Sequence, residues 1–362
     1  MKRIFVRTAA ALLAAVLLLP VKVGAVSARS AILMDAQTGR VLYEKDADRK
    51  SLIASTTKIM TALLVCEQCN VLDRMRIPKA AVGIEGSSMY VKEGEVLTVQ
   101  ELLYGLMLHS GNDAAVALAI YCGGTVEGFV ELMNDKARML GLNGTHFANP
   151  NGLDHPDHYA TARDLAVLAA YAMKNPVFAK TVSTKTLTIG QRSMKNHNKL
   201  LWTVDGADGV KTGFTRAAGR VLVSSAVRDG RRLVAVTIHA PNDWQDHKAL
   251  LEDGFQKFKM RQLIAAGQQV GIRAVLSGTV GAVPVLACED FQYPMMAGEQ
   301  ATVVLSQPDF SYAPVTAGGE AGYAYICIAG KSVGKVALVY GQTIESKPVQ
   351  KKRFWDGWFG GI

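Results

Sequence analysis

Three short clusters in this chain could together perform nucleophilic chemistry. The first is Ser55-Thr56-Thr57-Lys58. Spaced i and i+3 at the opening of a helix, the Ser hydroxyl and the Lys amine share one face. A Ser hydroxyl is a weak nucleophile until a base takes its proton. A Lys can be that base once burial or a neighbouring cation pulls its pKa towards neutrality. The helix start also offers N–H groups without intrahelical partners, suited to a developing oxyanion. The second cluster, Ser110-Gly111-Asn112, directly precedes a helical run over 113–121. Ser and Asn there could simply cap the helix. The chemical reading makes Ser110 a proton relay near a leaving group, with Asn112 holding the base and a substrate amide. The third, Lys211-Thr212-Gly213, follows the turn-like 205–209 and stands ahead of a strand. A cation and a hydroxyl at a strand edge can bind a carboxylate, and Gly lets a ligand backbone approach closely. Each cluster alone is unspecific, since S-x-x-K also describes a capping Ser followed by a solvated Lys.

The elements that must position these residues are legible in outline. Ala31-Ile32-Leu33-Met34 and Val41-Leu42-Tyr43 flank the Gly-containing turn Asp35-Ala36-Gln37-Thr38-Gly39, which predicts a hairpin. Met60 to Val65 continues the Ser55 helix, and 114–121 and 165–173 are further helices. Val221-Leu222-Val223 and Leu233 to Val236 predict buried strands joined at Arg228-Asp229-Gly230. After about residue 262 helical periodicity gives way to short β-prone runs, at 270–275, 283–286, 301–305, 324–328 and 336–340, punctuated by Gly and Pro. That pattern predicts a small all-β module. The expected organisation is therefore a segment 1–28, a domain 29–262, a β-rich domain 263–346 and a tail 347–362.

Both ends read as addresses. Lys2, Arg3 and Arg7 precede an apolar run from Ala9 to Leu19 that Pro20 ends. Val23-Gly24-Ala25 and Val26-Ser27-Ala28 both offer small residues for cleavage, so 1–28 is expected to be a signal peptide. The run is shorter than the roughly 20 apolar residues of a membrane span. At the other end, Lys351 to Phe359 interleaves cations with bulky aromatics, a composition suited to a membrane interface. The whole chain, 362 residues, carries 40 Lys and Arg against 31 Asp and Glu, a formal +9. Removing Lys2, Arg3, Arg7 and Lys22 with the leader leaves 36 cations against 31 acids. The tail then adds Lys347, Lys351, Lys352 and Arg353 against Asp356. Most of the basicity belongs to the two ends, which argues for an anionic membrane surface and against a nucleic acid as partner. An exported protein at the outer face of the cytoplasmic membrane is expected. A hydrophobic share of 49% excludes a disordered chain. Five Cys are too few for a disulfide scaffold and cannot all pair. Cys66-Glu67-Gln68-Cys69 has no second C-x-x-C, and Cys122, Cys288 and Cys327 read as core residues. His155 and His158 flank Pro156, which breaks any helical ligand face, so no metal is expected.

Taken in order, the three clusters match the S-x-x-K, S-x-N and K-T-G set of penicillin-binding proteins and class A β-lactamases. The chain resembles the low-molecular-mass penicillin-binding proteins, the serine-type D-alanyl-D-alanine carboxypeptidases, from Ala28 to its C-terminus. The resemblance extends to 35–39, Gly86 to Tyr90, Leu102 to Met107, Ser110 to Ala115, Asn151 to Asp154 and Gly209 to Gly213. It implies an α/β (α+β) catalytic domain, an antiparallel sheet with helices, followed by a small all-β domain. It also implies the roles. Ser55 attacks the carbonyl between two terminal D-alanines, Lys58 takes its proton, and an acyl-enzyme forms and is hydrolysed. The N–H groups of Ser55 and Phe214 form the oxyanion hole, and Lys211 and Thr212 hold the terminal carboxylate. Peptidoglycan stem peptides are the implied substrate and β-lactams the covalent inhibitors, with no cofactor. Two positions depart from the pattern: Ile53 stands where relatives often have Pro, and His197 where some have Arg, which keeps His197 out of the expected carboxylate site.

Two other readings share these motifs. A class A β-lactamase needs a Glu to activate the deacylating water, and between Asn143 and Met173 there is no Glu. A non-catalytic penicillin-binding sensor or wall-binding protein would acylate at Ser55 without turnover. Release of D-alanine from a D-Ala-D-Ala pentapeptide separates the carboxypeptidase from both.

Overall fold

The strands at the centre of the first domain alternate between two cores. Along Arg231–Ile238, Val234, Val236 and Ile238 enter one apolar cluster while Leu233 and Ala235 enter another. Gly219–Arg228 does the same with Val221 and Val223 against Leu222 and Ala226. The side-chain period of two sends successive residues to opposite faces, so apolar residues at both parities require cover on both sides of the sheet.

The computed structural model describes residues 26–348. The expected signal core and basic-aromatic tail lie outside these residues. The chain forms two compact units, meeting at Lys257 and Phe258. In the first unit, β1 (Ser30–Asp35), β2 (Val41–Lys45), β3 (Ala207–Thr215), β4 (Gly219–Arg228) and β5 (Arg231–Ile238) form one sheet in the order β2-β1-β5-β4-β3. Every pairing is antiparallel. One face is covered by the helices α1 (Lys58–Gln68), α2 (Val99–Leu108), α3 (Asn112–Gly123), α4 (Val126–Met139), α5 (Ala162–Ala172) and α6 (Pro176–Ser183). The other is covered by α7 (Asp243–Lys257) through Leu250 and Leu251. Helix α1 is buried from Lys58 through Val65, as expected of a helix apolar on all sides.

Two sequence expectations are corrected here, and a third observation bears on the N-terminal segment. Ser55 does not open the α-helix but lies in a 3₁₀ turn, Ala54–Thr57, that leads into α1. Lys211-Thr212-Gly213 lies within β3, because Ala207 and Gly209 already pair with Ala226 and Ser225. Residues 26–28, expected at the end of the signal segment, are built into the fold. Val26 and Ala28 are buried, and the Ser27 N–H and hydroxyl donate to the Asp246 carboxylate at 3.1 and 2.6 Å.

The second unit begins earlier than residue 263. Strand β6 (Phe258–Ile264) pairs with a strand at Phe291–Met296, so residues 258–262 belong to this unit. Around it lie β7 (Gln269–Leu276), β8 (Ala282–Ala287), β9 (Phe291–Met296), β10 (Ala301–Ser306), β11 (Phe310–Tyr312), β12 (Glu320–Ile328) and β13 (Lys331–Tyr340). Six of them form a sheet in the order β10-β12-β13-β8-β7-β11. Its core is Val285, Ala287, Ala324, Ile326, Val336 and Leu338. Cys288 is exposed rather than a core residue, just beyond β8.

Candidate active site

The 3₁₀ turn fixes the first pair. With three residues per turn, side chains at i and i+3 eclipse, which sets Ser55 and Lys58 directly over one another. Lys58 Nζ lies 2.9 Å from Ser55 Oγ. It also reaches Asn112 Oδ1 at 2.6 Å and the Asn151 carbonyl at 2.6 Å. Lys58 is fully buried, and burial, then the nearby Lys211 cation, holds its pKa well below the ordinary lysine value. Once neutral, this amine keeps two N–H groups and one lone pair. The N–H groups serve the two carbonyl oxygens, and the remaining lone pair faces the Ser55 hydroxyl. That is the arrangement of a base ready to accept the Ser55 proton.

Each partner is held from a different part of the chain. Asn112 opens α3, its N–H donating to the Ser87 carbonyl at 2.7 Å and its side-chain amide to the Glu85 carbonyl. The Asn151 carbonyl comes from the loop 148–158, which is stitched to α1. Thr61 donates to the Pro150 carbonyl at 2.6 Å, and Thr57 contacts His158 Nε2 at 2.7 Å. His158 Nδ1 accepts the Ala148 N–H at 3.0 Å, so Nε2 carries the proton and donates to Thr57. Burial lowers the His158 pKa to about 4, and a neutral ring with both nitrogens engaged has no lone pair left for a metal. Gly152 lets this loop pass under the turn. Its φ is +88°, and a Cβ there would lie 2.0 Å from the Ala54 carbonyl oxygen. Ala54 and Ser110, each beside a reactive position, also have positive φ, of 46° and 61°, a conformation that costs of order 1–3 kcal/mol and persists only where its surroundings enforce it.

The third cluster comes from the sheet edge. Strand β3 is the last in the sheet, so its outer edge is free to face the Ser55 turn. Gly213 makes this approach possible, since even a Cβ there would sit 3.1 Å from both the Ile53 carbonyl and the Ser55 nitrogen. Lys211 is buried, its amine donating to the Thr212 carbonyl at 2.9 Å. Burial lowers its pKa to about 7. Ser55, Ser110, Thr212, Gly213 and Phe214 line one cleft of about 350 Å³. Lys58, Asn112 and Lys211 sit behind its wall.

Sequence reasoning missed several residues at this cleft. Ser87, Lys199, Arg220, Asp243 and Trp244 line it, and so does His197, which had been left out. Arg220 pairs with Asp243 at 2.8 Å and lies over the Trp244 ring. The Asn151 contribution is a backbone carbonyl, for which residue type carries no signal. Asp113 is a further omission. Its carboxylate accepts from Ser88 Oγ at 2.6 Å, Met89 N at 3.0 Å and Val91 N at 3.1 Å, pinning the loop whose Glu85 and Ser87 carbonyls hold Asn112. Between Asn143 and Met173, the segment without a Glu, the three Asp side chains are engaged elsewhere or exposed. Asp154 accepts from Thr215, Asp164 from Gly144 and Thr145, and Asp157 is exposed beside His155.

Residues 19–242 match the family described as D-alanyl-D-alanine carboxypeptidase. The chain belongs to this family. Residues 258–346 match a second family, the C-terminal domain of penicillin-binding protein 5. Among curated relatives of this carboxypeptidase family, DacF of Bacillus subtilis is 33% identical over 311 residues, 82% of this chain and 80% of the relative. DacC of Escherichia coli is 33% identical over 367 residues, 94% of this chain and 91% of the relative. The crystal structure of penicillin-binding protein 5 from Haemophilus influenzae superposes with a TM-score of 0.76 at 29% identity, covering 89% of this chain and 98% of that one. The resemblance read from the motifs and the fold class it implied are therefore shown.

Asp113 acts on the site by positioning. In Asp113→Ala the buried Met89 and Val91 N–H groups lose their acceptor, at about 1–3 kcal/mol each. Covalent labelling by a fluorescent penicillin is expected to slow about tenfold and the melting temperature to fall by roughly 5–10 °C. Asp113→Asn, which keeps one acceptor oxygen, should recover most of both. Unchanged labelling kinetics in Asp113→Ala would remove the positioning role.

Proposed function

We infer that this protein is a serine-type D-alanyl-D-alanine carboxypeptidase, which removes the terminal D-alanine from peptidoglycan pentapeptide stems. The observation that carries this reading is the Lys58 amine, buried, held below the ordinary lysine pKa and 2.9 Å from Ser55 Oγ, behind the cleft that Thr212 and Gly213 also line. Lys211 and Thr212 bind the substrate carboxylate, placing the penultimate carbonyl over Ser55. Lys58 takes the Ser55 proton as Oγ attacks. The oxyanion meets the N–H groups of Ser55 and Phe214, and Ser110 passes the proton to the departing D-alanine amine. Lys58 is then neutral again and can deprotonate the water that hydrolyses the acyl-enzyme. β-Lactams enter the same path and stall as acylated Ser55.

The deciding measurement is D-alanine release from a pentapeptide ending in D-Ala-D-Ala. Multiple turnovers are expected. Stoichiometric acylation without continuing release would overturn the carboxypeptidase reading in favour of a sensor, and hydrolysis confined to β-lactams would favour a β-lactamase.

We further propose export, with signal cleavage after Ala25, and peripheral attachment to the outer face of the cytoplasmic membrane through the tail. Supporting these are the leader composition, the packing of Val26 to Ala28 into the fold, and the three cations followed by four aromatics within 351–359. Deleting residues 350–362 should abolish flotation with anionic liposomes while D-alanine release from a small peptide continues. Flotation unchanged by the deletion would overturn the attachment.

A further inference from the structure

Three cysteines gather at the end of the site opposite the nucleophile. Cys66 lies in the last turn of α1, Cys69 caps that helix, and Cys122 lies in the last turn of α3. Cys69 and Cys122 lie close enough for each thiol to act on the titration of the other. Two contacts hold the same segments together. Cys122 Sγ lies 3.5 Å from Gln68 Oε1, and the Tyr121 hydroxyl donates to Asp73 at 2.9 Å. Both sulfurs belong to partly exposed residues, within reach of a small disulfide donor in solution.

The geometry points to Cys69 and Cys122 as a disulfide-forming pair that staples α1 to α3. These are the helices whose opposite ends present Lys58 and Asn112 to each other. The inference goes beyond the enzymatic reading and does not depend on it, although an exported location would supply the oxidising surroundings.

The chemistry favours an order of events. The neighbouring Cys122 thiol lowers the Cys69 pKa, against burial and the Asp73 charge. The neighbouring Cys69 sulfur, together with burial, raises Cys122. Cys69 is therefore the thiol favoured to lose its proton first. The Cys69 sulfur attacks one sulfur of a low-molecular-mass disulfide and releases a thiolate, leaving a mixed disulfide. With its negative neighbour gone, Cys122 loses its proton to solvent and attacks the Cys69 sulfur, expelling the second thiolate. Two protein thiols are oxidised and one donor disulfide is reduced to two thiols. Cys66 is placed differently. Burial comes first, then the Cys69 and Glu67 charges, and together they push its thiol up to about 12, which leaves it unreactive.

The test uses the full-length chain incubated with oxidised glutathione, then digested without reduction and mapped by mass spectrometry. A peptide pair linked through Cys69 and Cys122 is expected. The oxidised protein should melt roughly 5–10 °C above the reduced one, as for a loop of this length. Cys122→Ser should abolish both the link and the difference in melting, while Cys66→Ser should preserve them. Linkage of Cys69 to Cys66, glutathione adducts that never resolve, or a linked pair with unchanged melting would each overturn the staple.

Discussion

Ser55→Ala is expected to abolish both D-alanine release and covalent labelling by a fluorescent penicillin, with turnover falling by at least about 10⁴-fold. The expectation follows from what surrounds the hydroxyl. Ser55 Oγ is the atom that the buried Lys58 amine, its pKa lowered by burial, faces, and Ser55 lines the cleft together with Thr212 and Gly213. Removing it takes away the bond-forming atom while leaving the carboxylate site intact. A small peptide should therefore still bind, with an affinity close to that of the unmodified protein. The melting temperature should hardly move, because Ser55 is half-exposed and deleting one hydroxyl opens no sizeable cavity. The measurement is intact-protein mass after penicillin treatment, with peptide mapping. A penicilloyl adduct retained at any residue of the cleft in Ser55→Ala would overturn the assignment of the nucleophile.

How much of this site was legible in the sequence can be argued residue by residue. The Ser55–Lys58 relation survives the change from α-helix to 3₁₀ turn, because i, i+3 places both side chains on one face in either geometry. The apolar runs at 221–223 and 233–236 announced buried strands, and 31–34 with 41–43 announced a separate hairpin. The long-range closures left no comparable trace. Asn151 acts through a carbonyl, which every residue possesses. Its position depends on Gly152 passing under the Ala54 carbonyl, a contact that no local pattern reports. The Asp113 carboxylate reads as an ordinary acid in a helix's first turn, yet it anchors a loop more than twenty residues earlier in the chain. The boundary at Phe258 was displaced for the same kind of reason. Residues 258–262 are a strand only because 291–296 pairs with them.

Lys58→Met should reduce acylation by about 10²–10⁴-fold, the range for a lost general base, and should also reshape the pH dependence. Met preserves the apolar length of the side chain, so the core around α1 stays filled. The Asn112 Oδ1 and Asn151 carbonyl lose their donor, which costs stability but leaves a folded protein that can be assayed. In the unmodified protein two lysines act with opposite signs. Lys58 must be neutral to accept the Ser55 proton, so acylation rises with pH as that buried amine deprotonates. Its lowered pKa keeps the rising limb below the ordinary lysine range. Lys211 must be charged to hold a carboxylate, and burial lowers its pKa to about 7. In the free enzyme, kcat/KM for a carboxylate substrate should therefore fall as pH rises through about 7. A bound carboxylate favours the cation and raises that pKa, so kcat should begin to fall at a higher pH than kcat/KM. Lys58→Met removes the rising limb and keeps the falling one. Lys211→Arg, whose guanidinium stays charged, keeps the rising limb and removes the falling one. If Lys58→Met acylated at a near-normal rate with its rising limb intact, another group would have to be the base. If Lys211→Arg still lost kcat/KM near pH 7, the falling limb would belong to another group of the cleft, and not to His197, whose pKa burial and the Lys211 charge lower from its ordinary value.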